Sequence, residues 1–280
     1  MSDLKIFSNK ISVKDKRVIV RLDLNVPIKN SEIDDNTRIK VVEPFINKLI
    51  KDKAKVILMS HLGRPKGKIV SELSLEPVFK YLEKKLNGQI HFYKEKIDNK
   101  AVEASNKLKS GEVLFIENIR FFEGEERDEE NFAKNLAKLG DIFINEAFSC
   151  SHRKQASIHK ITRFIDSYAG PLLEKEIQSI NSIIKNKKKP VTAIIGGSKV
   201  STKINVLLSL IKNSDNLIIV GAMANNFFKY KGLNVGVSIV EKESQNTVKE
   251  INELAEKSKC KVIIPVDSNT SSNVNGNPVY

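Results

Sequence analysis

With 280 residues, the chain exceeds the length at which a single hydrophobic core usually stops growing, so two domains are expected. Hydrophobic residues make up 40% and charged residues 29% of the sequence. No apolar run approaches the roughly 20 residues that cross a bilayer, so a soluble protein is expected, and its cysteine usage fits a reducing cytoplasm. The two cysteines, Cys150 and Cys260, lie far apart and in no metal-ligand spacing, so neither a disulfide framework nor a metal site is expected.

The formal net charge of +13 leaves two classes of partner open, a nucleic acid and a small acidic molecule. Of the 47 basic residues, 39 are Lys, which are dispersed along the chain and form no basic stripe interleaved with aromatic residues. Such dispersed Lys indicates a solvated surface. The 8 Arg are few enough for their positions to be informative.

Short apolar runs rich in β-branched residues alternate with amphipathic stretches in the first half of the chain. The runs have the composition of buried parallel strands, and the stretches have helical spacing. This alternation predicts βαβ crossovers and a parallel sheet. The predicted strands are 17–24, 54–60, 112–118 and 141–148, and the predicted helices are 37–53, 75–88 and 128–140.

A second series of elements follows a predicted connecting helix, in which Leu172, Ile177 and Ile184 fall at helical spacing. The predicted strands of this series are 190–197, 216–222 and 261–267. Because a doubly wound sheet normally has more strands, a truncated second domain is expected.

Together these elements predict an α/β protein with two Rossmann-like, three-layer αβα domains and parallel sheets. The expected division is a first domain over 1–168, a connecting helix over 169–189 and a partial second domain over 190–280. A half-built sheet leaves an exposed edge and an uncovered apolar face, so the first domain is expected to be the more stable one.

Polar and charged residues follow each of the first four predicted strands, where open α/β sheets bind their ligands. These residues are Asp23, Asn25 and Arg38 after the first strand, His61 and Arg64 after the second, Arg120 after the third, and His152 and Arg153 after the fourth. Guanidinium groups bind phosphate and carboxylate oxygens bidentately, so the set predicts a site for a small, multiply anionic ligand. Each residue alone has a structural alternative, such as a turn for Asp23, a satisfied loop histidine for His61 or a carboxylate partner for an Arg.

A glycine-containing turn follows the first strand of the second series and leads into a helix. It comprises Gly196, Gly197, Ser198 and Lys199, with Lys203 four residues further on the same helical face. Glycines and a helix N-terminus can bind phosphate through backbone N–H groups, although the segment is not a Walker A loop. A nucleotide site and a plain helix-entry turn both stay open. Gly221 ends the next strand, and a small residue at this position also suggests a face that is open to a ligand.

Five segments in this order resemble the phosphoglycerate kinase family. They are 21–27 (RLDLNVP), 60–65 (SHLGRP), 117–121 (ENIRF), 196–200 (GGSKV) and 223–224 (MA) in a strand-to-helix turn. The resemblance spans essentially the whole chain. It implies a glycolytic phosphotransferase with a carboxyl group as acceptor, which moves a phosphoryl group reversibly between 1,3-bisphosphoglycerate and ADP, giving 3-phosphoglycerate and ATP.

The resemblance also implies roles for individual residues. The first domain would hold the phosphoglycerate and the second would hold ADP or ATP with Mg²⁺, a hinge closing one on the other. The implied substrate-binding residues are Asp23, Asn25, Arg38, His61, Arg64, Arg120 and Arg153. Arg38 and Lys199 would act on the phosphoryl group in transit. The implied nucleotide-binding residues are Gly196, Gly197, Ser198, Lys199, Lys203 and Gly221.

Departures from the family pattern limit this inference. Gln155 stands where the family usually has a second histidine, and the turn at Val220-Gly221-Ala222 is poorer in glycine. The chain has no Gly-Gly-Gly-Asp-Thr segment, whose aspartate binds magnesium in the family, so no residue is assigned as a metal ligand.

Two alternatives to an active kinase stay open. One is a truncated, inactive form that acts only as a binding module for acidic metabolites, and the other is a basic protein associated with nucleic acid. The resemblance favours neither, and it implies a cytoplasmic monomer without nucleic-acid or membrane partners.

Overall fold

The computed structural model describes residues 4–185 and 189–271. The chain forms two compact units, one ending at Gln178 and the next beginning at Ser179. The parts of the expected division that fall on 1–3, 186–188 and 272–280 lie outside the described residues. Within the described part of the chain, no helix is both long and apolar enough to cross a membrane.

The first unit is built on a six-stranded sheet, in which every neighbouring pair of strands is parallel. A small antiparallel hairpin, β2–β3, lies outside it. Its elements in chain order are β1 (Arg17–Arg21), β2 (Ile28–Lys29), β3 (Glu32–Ile33), α1 (Thr37–Lys51), β4 (Lys55–Met59), α2 (Glu76–Glu83), β5 (Ile90–Tyr93), α3 (Asn99–Lys107), β6 (Val113–Ile116), α4 (Glu123–Glu126), α5 (Glu130–Ala137), β7 (Ile142–Asn145), β8 (Ser167–Ala169) and α6 (Pro171–Lys185). The strand order is β5-β6-β4-β1-β7-β8.

Both faces of this sheet are covered by helices. Successive residues of β1 point to opposite faces, so Val18 and Val20 join one buried cluster and Ile19 joins the other. The first cluster also contains residues of α1 and α2, and the second contains residues of α3 and α5. The predicted three-layer α/β architecture with a parallel sheet is confirmed.

Several element bounds differ from those predicted from the sequence. Two strands of the six-stranded sheet were not predicted, β5 and β8, and both lie at its edges; the hairpin strands β2 and β3 were not predicted either. β5 buries Ile90 but exposes His91, so it lacks the continuous apolar run of the central strands. Helix α2 ends at Glu83 and α5 at Ala137, several residues before the predicted ends at 88 and 140.

The first unit extends beyond the expected boundary at 168. Strand β8 pairs with β7 through Ala169, and Leu172 of α6 packs against the core of the first unit. The boundary between the two units falls within α6, inside the span 169–189 that was expected to connect the domains.

The second unit contains a three-stranded parallel sheet in the order β11-β10-β9. Its elements are β9 (Thr192–Gly196), α7 (Ile204–Asn213), β10 (Asn216–Val220), α8 (Ala222–Tyr230), α9 (Gln245–Ser258) and β11 (Lys261–Ile263). All three predicted strands are present in the described residues. Helix α9 is an additional element that the sequence interpretation did not specify.

The two faces of the second sheet differ in the described residues. On one face, Leu217 and Ile219 are fully buried against a cluster that includes residues of α7, α8 and α9. On the other face, Ile194, Ile218 and Ile263 lie side by side in register. The Ile194 residue is 68% exposed, so this face carries apolar surface.

Two substitutions distinguish the faces of the second sheet. Ile219→Ala should lower the local free energy of unfolding by about 2–4 kcal/mol, because it leaves a cavity in the buried cluster. Ile194→Ala, the matched control, should change it by less than about 1 kcal/mol, because the side chain is largely exposed. Native-state hydrogen exchange of peptides from β10 measures both. Equal effects would contradict the assignment of the buried face.

Candidate functional site

The predicted anion-binding residues meet at the carboxyl end of the first sheet. Strand β1 is central, with β4 on one side and β7 on the other, and β6 lies next to β4. Because parallel strands end at the same edge, the loops that follow these four strands share one crevice. The fold therefore places near one another the four segments that the sequence singled out.

Arg21, the last residue of β1, organises the floor of this crevice. It is fully buried, and its Nε donates to Ser157 Oγ at 2.9 Å. Ser157 Oγ in turn donates to Glu125 Oε1 at 2.6 Å, and complete burial raises the pKa of Glu125. The sequence interpretation missed Arg21 as a site residue, although a charged residue at the end of an apolar strand is a signal that could have found it.

The contact between Arg21 and His61 fixes the hydrogen positions on the imidazole. Arg21 Nη2 lies 3.3 Å from His61 Nδ1, and a guanidinium can only donate. His61 Nδ1 must therefore accept, which leaves the ring proton on Nε2. Burial, followed by the charges of Arg21 and Arg120, lowers the pKa of His61 to about 2, so the ring is neutral at physiological pH.

Arg120 and Arg153 add two further guanidinium groups with unused donors. Arg120 is only 2% exposed, and its Nη1 donates to the Gly63 carbonyl at 2.7 Å. The Nε atoms of Arg120 and Arg153 are buried and have no hydrogen-bond partner. Burial beside Arg153 and Arg21 lowers the pKa of Arg120. Unsatisfied buried donors of this kind are rare, and an anion would satisfy them.

Gln155, at the position where the family pattern usually has histidine, has a defined role in the structure. Its Oε1 accepts from Arg120 Nη2 at 3.4 Å. The residue therefore orients a guanidinium group of the crevice, a contact in which the amide acts as acceptor.

Asp23 and Asn25 both make contacts within the protein, as residues with a structural role in a turn would. Arg38 and Ser149 both donate to Asp23 Oδ2. Burial alone raises the pKa of Asp23, but the hydrogen bonds from Ser149 and the Asn25 backbone N–H, with neighbouring positive charge, hold the pKa below its usual value. Asn25 Oδ1 accepts from the Gly63 backbone N–H at 2.9 Å, so it shapes the turn that carries the second strand's Arg.

Arg64 is both exposed and without a partner inside the described part of the protein. Its side chain is exposed, and within the described residues it makes no hydrogen bond or ion pair. The structural alternative, a carboxylate partner inside the protein, therefore does not apply to Arg64 in this conformation.

Asp23, His61 and Cys150 are the only group in the described residues with the side-chain types and spacing for a metal ion, their ligand atoms lying within 4.8 Å of one another. The group does not suit Mg²⁺, which prefers oxygen ligands. A softer cation would need the lone pair of His61 Nε2, which carries the proton. This group therefore gives no reason to assign a Mg²⁺ ligand among its three residues.

Glu146 links the crevice to the start of α6. It follows β7, and its Oε2 accepts from the backbone N–H groups of Leu172 at 2.7 Å and Leu173 at 3.2 Å. The carboxyl group also lines a cavity of about 250 Å³ beside Asp23 and Arg38. Burial outweighs the two hydrogen bonds and raises the pKa of Glu146 to about 7.

The glycine-containing turn of the second unit already holds an anionic group. Glu241 Oε2 accepts from the backbone N–H groups of Val200 at 2.8 Å and Ser201 at 3.1 Å, and Ser201 Oγ donates to Oε1. The Ser201 hydrogen bonds lower the pKa of Glu241. Sequence reasoning missed Glu241 because it lies far along the chain from the turn.

The predicted nucleotide-binding residues are divided between exposed and engaged positions. Lys203 Nζ donates to the Gly196 carbonyl at 2.8 Å, whereas Lys199 is exposed and has no side-chain partner in the described part of the unit. Gly221 has φ of +68°, which favours glycine, and a Cβ there would lie 3.8 Å from the Gly197 backbone. Ser198 is exposed at the tip of the turn.

Comparisons with known proteins give a consistent result. A family model described as phosphoglycerate kinase matches residues 8–279. Curated proteins named phosphoglycerate kinase from Bartonella bacilliformis and Orientia tsutsugamushi are each 46% identical, over 260 and 269 residues. The matched parts cover 93% and 96% of this chain and 65% and 66% of those proteins. The chain thus spans about 65% of the length of the curated relatives it matches.

Solved structures agree with the sequence relatives. The structure of phosphoglycerate kinase from Coxiella burnetii matches with a TM-score of 0.82 and 36% identity, covering 96% of this chain and 68% of that one. The structure of phosphoglycerate kinase from Pyrococcus horikoshii matches with a TM-score of 0.79 and 27% identity, covering 98% and 70%.

The raised pKa of Glu146 predicts a pH-dependent contribution to stability. Because its pKa is about 7 in the folded state and near 4.5 in the unfolded state, this group's contribution falls as pH rises between those values. Glu146→Gln cannot ionise, so relative to the wild type its free energy of unfolding should rise by about 1–3 kcal/mol from pH 4.5 to pH 8.

Chemical denaturation at several pH values measures this difference. Glu176→Gln is the matched control, because Glu176 is an exposed carboxylate beside the same cavity and should show no such trend. A difference between Glu146→Gln and the wild type that does not change with pH would contradict the prediction.

Proposed function

The chain belongs to the phosphoglycerate kinase family, and on that basis we propose that it takes part in reversible phosphoryl transfer between 1,3-bisphosphoglycerate and ADP, giving 3-phosphoglycerate and ATP. The first unit would bind the phosphoglycerate, and the second would bind the nucleotide. Because the chain spans about 65% of its relatives' length, the activity and substrates are inferences from the family together with the residues described.

The observation that best supports this proposal is the pair of unpartnered donors in the first unit. Arg120 Nε and Arg153 Nε are buried without an acceptor, and both residues lie in the same crevice as Arg21 and neutral His61. Leaving such donors unsatisfied costs free energy, which a bound carboxylate or phosphate would recover. A small ligand with several anionic oxygens fits this need.

The other proposed substrate-binding residues differ in the partners that they have within the protein. Arg64 is exposed and has no protein partner in the described residues, so it is available to a ligand oxygen. Arg38 is held by Asp23, which keeps its guanidinium at the mouth of the crevice. Asp23 and Asn25 would contribute partly by positioning Arg38 and the Gly63 turn, besides contacting the ligand.

The proposed chemistry requires mainly positioning and charge neutralisation. An acyl phosphate is already activated, so the protein needs donors for the equatorial oxygens of the phosphoryl group and a site that excludes water. We assign Arg38 and Lys199 to these oxygens. Lys199 is exposed and has no side-chain hydrogen bond or ion pair in the described residues, whereas Arg38 is exposed but already paired with Asp23.

In the second unit, we assign the nucleotide phosphates to the turn formed by Gly196, Gly197, Ser198 and Lys199, with Lys203 and Gly221 beside it. Mg²⁺ would arrive with the nucleotide and neutralise phosphate charge, and we route no step through a protein ligand for it. The turn shares its backbone donors with Glu241, so Lys199 is the most available group there. A cytoplasmic, monomeric protein without a nucleic-acid or membrane partner completes the proposal.

Substrate binding tests the first half of the proposal. Arg64→Ala should weaken 3-phosphoglycerate binding by about 10- to 100-fold, because it removes charge-assisted hydrogen bonds without disturbing an internal contact. Arg163→Ala, another exposed Arg, is the matched control and should bind like the wild type. Isothermal titration calorimetry provides the affinities. Unchanged binding in Arg64→Ala would refute the assigned site.

Nucleotide binding and turnover test the second half. Lys199→Ala should weaken ADP binding by about fivefold or more, whereas Lys231→Ala, an exposed Lys elsewhere in the unit, should not. A coupled assay for 3-phosphoglycerate-dependent consumption of ATP measures transfer itself. Binding of phosphoglycerate without any transfer would support a metabolite-binding role instead.

A further inference from the structure

We propose that Cys150 is an oxidisable thiol, which a hydroperoxide converts to a sulfenate inside the anion-binding crevice, so that the oxidised side chain competes with the anionic ligand. The first part concerns the thiol alone. The identity of the competing ligand rests on the proposed function.

Cys150 lies against the polar residues of the crevice. It ends a short 3₁₀ turn, Phe148–Cys150, that follows β7, and it is 3% exposed. Its Sγ is 3.9 Å from His61 Nε2 and 3.7 Å from Ser149 Oγ. Because Arg21 occupies His61 Nδ1, the Nε2 atom carries the hydrogen and donates towards the sulfur.

Charged groups of both signs surround Cys150. The Asp23 carboxylate lies within 4.8 Å of the sulfur and is already paired with Arg38. Arg120 interacts electrostatically with Cys150, and its buried Nε has no hydrogen-bond partner. The nearest carboxylate to that Nε is Glu126, at 4.0 Å. Arg153 contributes a second buried Nε without a partner. The thiolate is the nucleophile in oxidation, and cationic neighbours promote its reaction.

The same contacts favour oxidation of Cys150 over metal binding. A cation coordinated by Cys150 and His61 would have to displace the Nε2 proton, and Arg21 prevents that proton from moving to Nδ1. The neighbouring guanidinium groups also repel a cation. A sulfenate, by contrast, carries an oxygen that can accept from the unused N–H groups.

The oxidation step needs only a hydroperoxide. The Cys150 thiolate attacks one peroxide oxygen, an S–O bond forms and the O–O bond breaks. The hydroxide that leaves takes a proton from the solvent and becomes water when the oxidant is hydrogen peroxide. The sulfur is oxidised by two electrons, and the peroxide is reduced by two.

The chain's second cysteine is an internal control. Cys260 is also nearly buried, but it lies in the second unit within an apolar cluster. Burial, with the charge of Asp215, raises the pKa of the Cys260 thiol. With two cysteines of similar exposure in one molecule, a difference in reactivity reports on their surroundings rather than on accessibility.

Differential alkylation of the full chain measures both rates. The protein is treated with hydrogen peroxide for various times, then unfolded and alkylated, and the remaining free thiol at each position is determined by mass spectrometry of peptides. Cys150 should lose its free thiol at least about tenfold faster than Cys260. Equal rates, or faster loss at Cys260, would overturn the proposal.

Inorganic sulfate tests whether the thiol shares the anion site without depending on the metabolite. Sulfate should slow oxidation of Cys150 and leave Cys260 unchanged, and protection of neither would overturn the shared site. Prior oxidation should weaken 3-phosphoglycerate binding in the wild type and in Cys260→Ala, but not in Cys150→Ala. Equal weakening in Cys150→Ala would refute the competition.

The outcomes distinguish this proposal from the proposed function. An unreactive Cys150 in a chain that binds 3-phosphoglycerate overturns the thiol proposal and leaves the function intact. A reactive, sulfate-protected Cys150 in a chain that does not bind 3-phosphoglycerate supports the thiol proposal and overturns the assigned substrate.

Discussion

The hydrogen bond from Arg21 to His61 determines most of the properties of the first unit's crevice. A fully buried guanidinium is costly unless its donors are used, and here Ser157, backed by Glu125, accepts from Nε. Nη1 donates to the Leu22 carbonyl, and Nη2 faces His61 Nδ1, which selects the tautomer of the ring. Burial and the charge of this one residue at the end of a strand keep the imidazole neutral, and its hydrogen bond leaves the ring N–H on Nε2.

Several guanidinium groups lie close together in this crevice, and the repulsion between their positive charges is by itself unfavourable for folding. The sheet tolerates the arrangement because both of its faces bury large apolar clusters, so stability is supplied by residues such as Ile19 and Val20 and not by the site. In most of a protein, every local contact supports the overall fold. Unsatisfied hydrogen-bond donors are an expected exception at a candidate site, where packing elsewhere supplies the stability. Within one unit, the polar edge of the sheet thus carries the candidate site, and the apolar layers supply the stability.

The sequence predicted the central strands and the placing of the strand-end residues at one edge of the sheet, because both follow from period and chain order. It did not predict the edge strands β5 and β8, which are short and partly polar. It assigned Asp23 to a ligand without indicating that Arg38 and Ser149 already donate to it. Contacts such as Glu241 with Val200 join residues 41 positions apart, and such pairings depend on the tertiary fold, which no local pattern encodes.

The carboxylate of Glu241 at the glycine-containing turn has a further consequence for how this surface meets nucleotides. The backbone N–H groups of Val200 and Ser201 are oriented by a permanent internal acceptor. The turn therefore keeps its shape between encounters and need not be ordered anew by each incoming phosphate. If the turn binds a nucleotide as proposed, the same negative charge would repel a polyphosphate that approaches without a counter-ion. The internal carboxylate would then favour nucleotides whose charge is already neutralised.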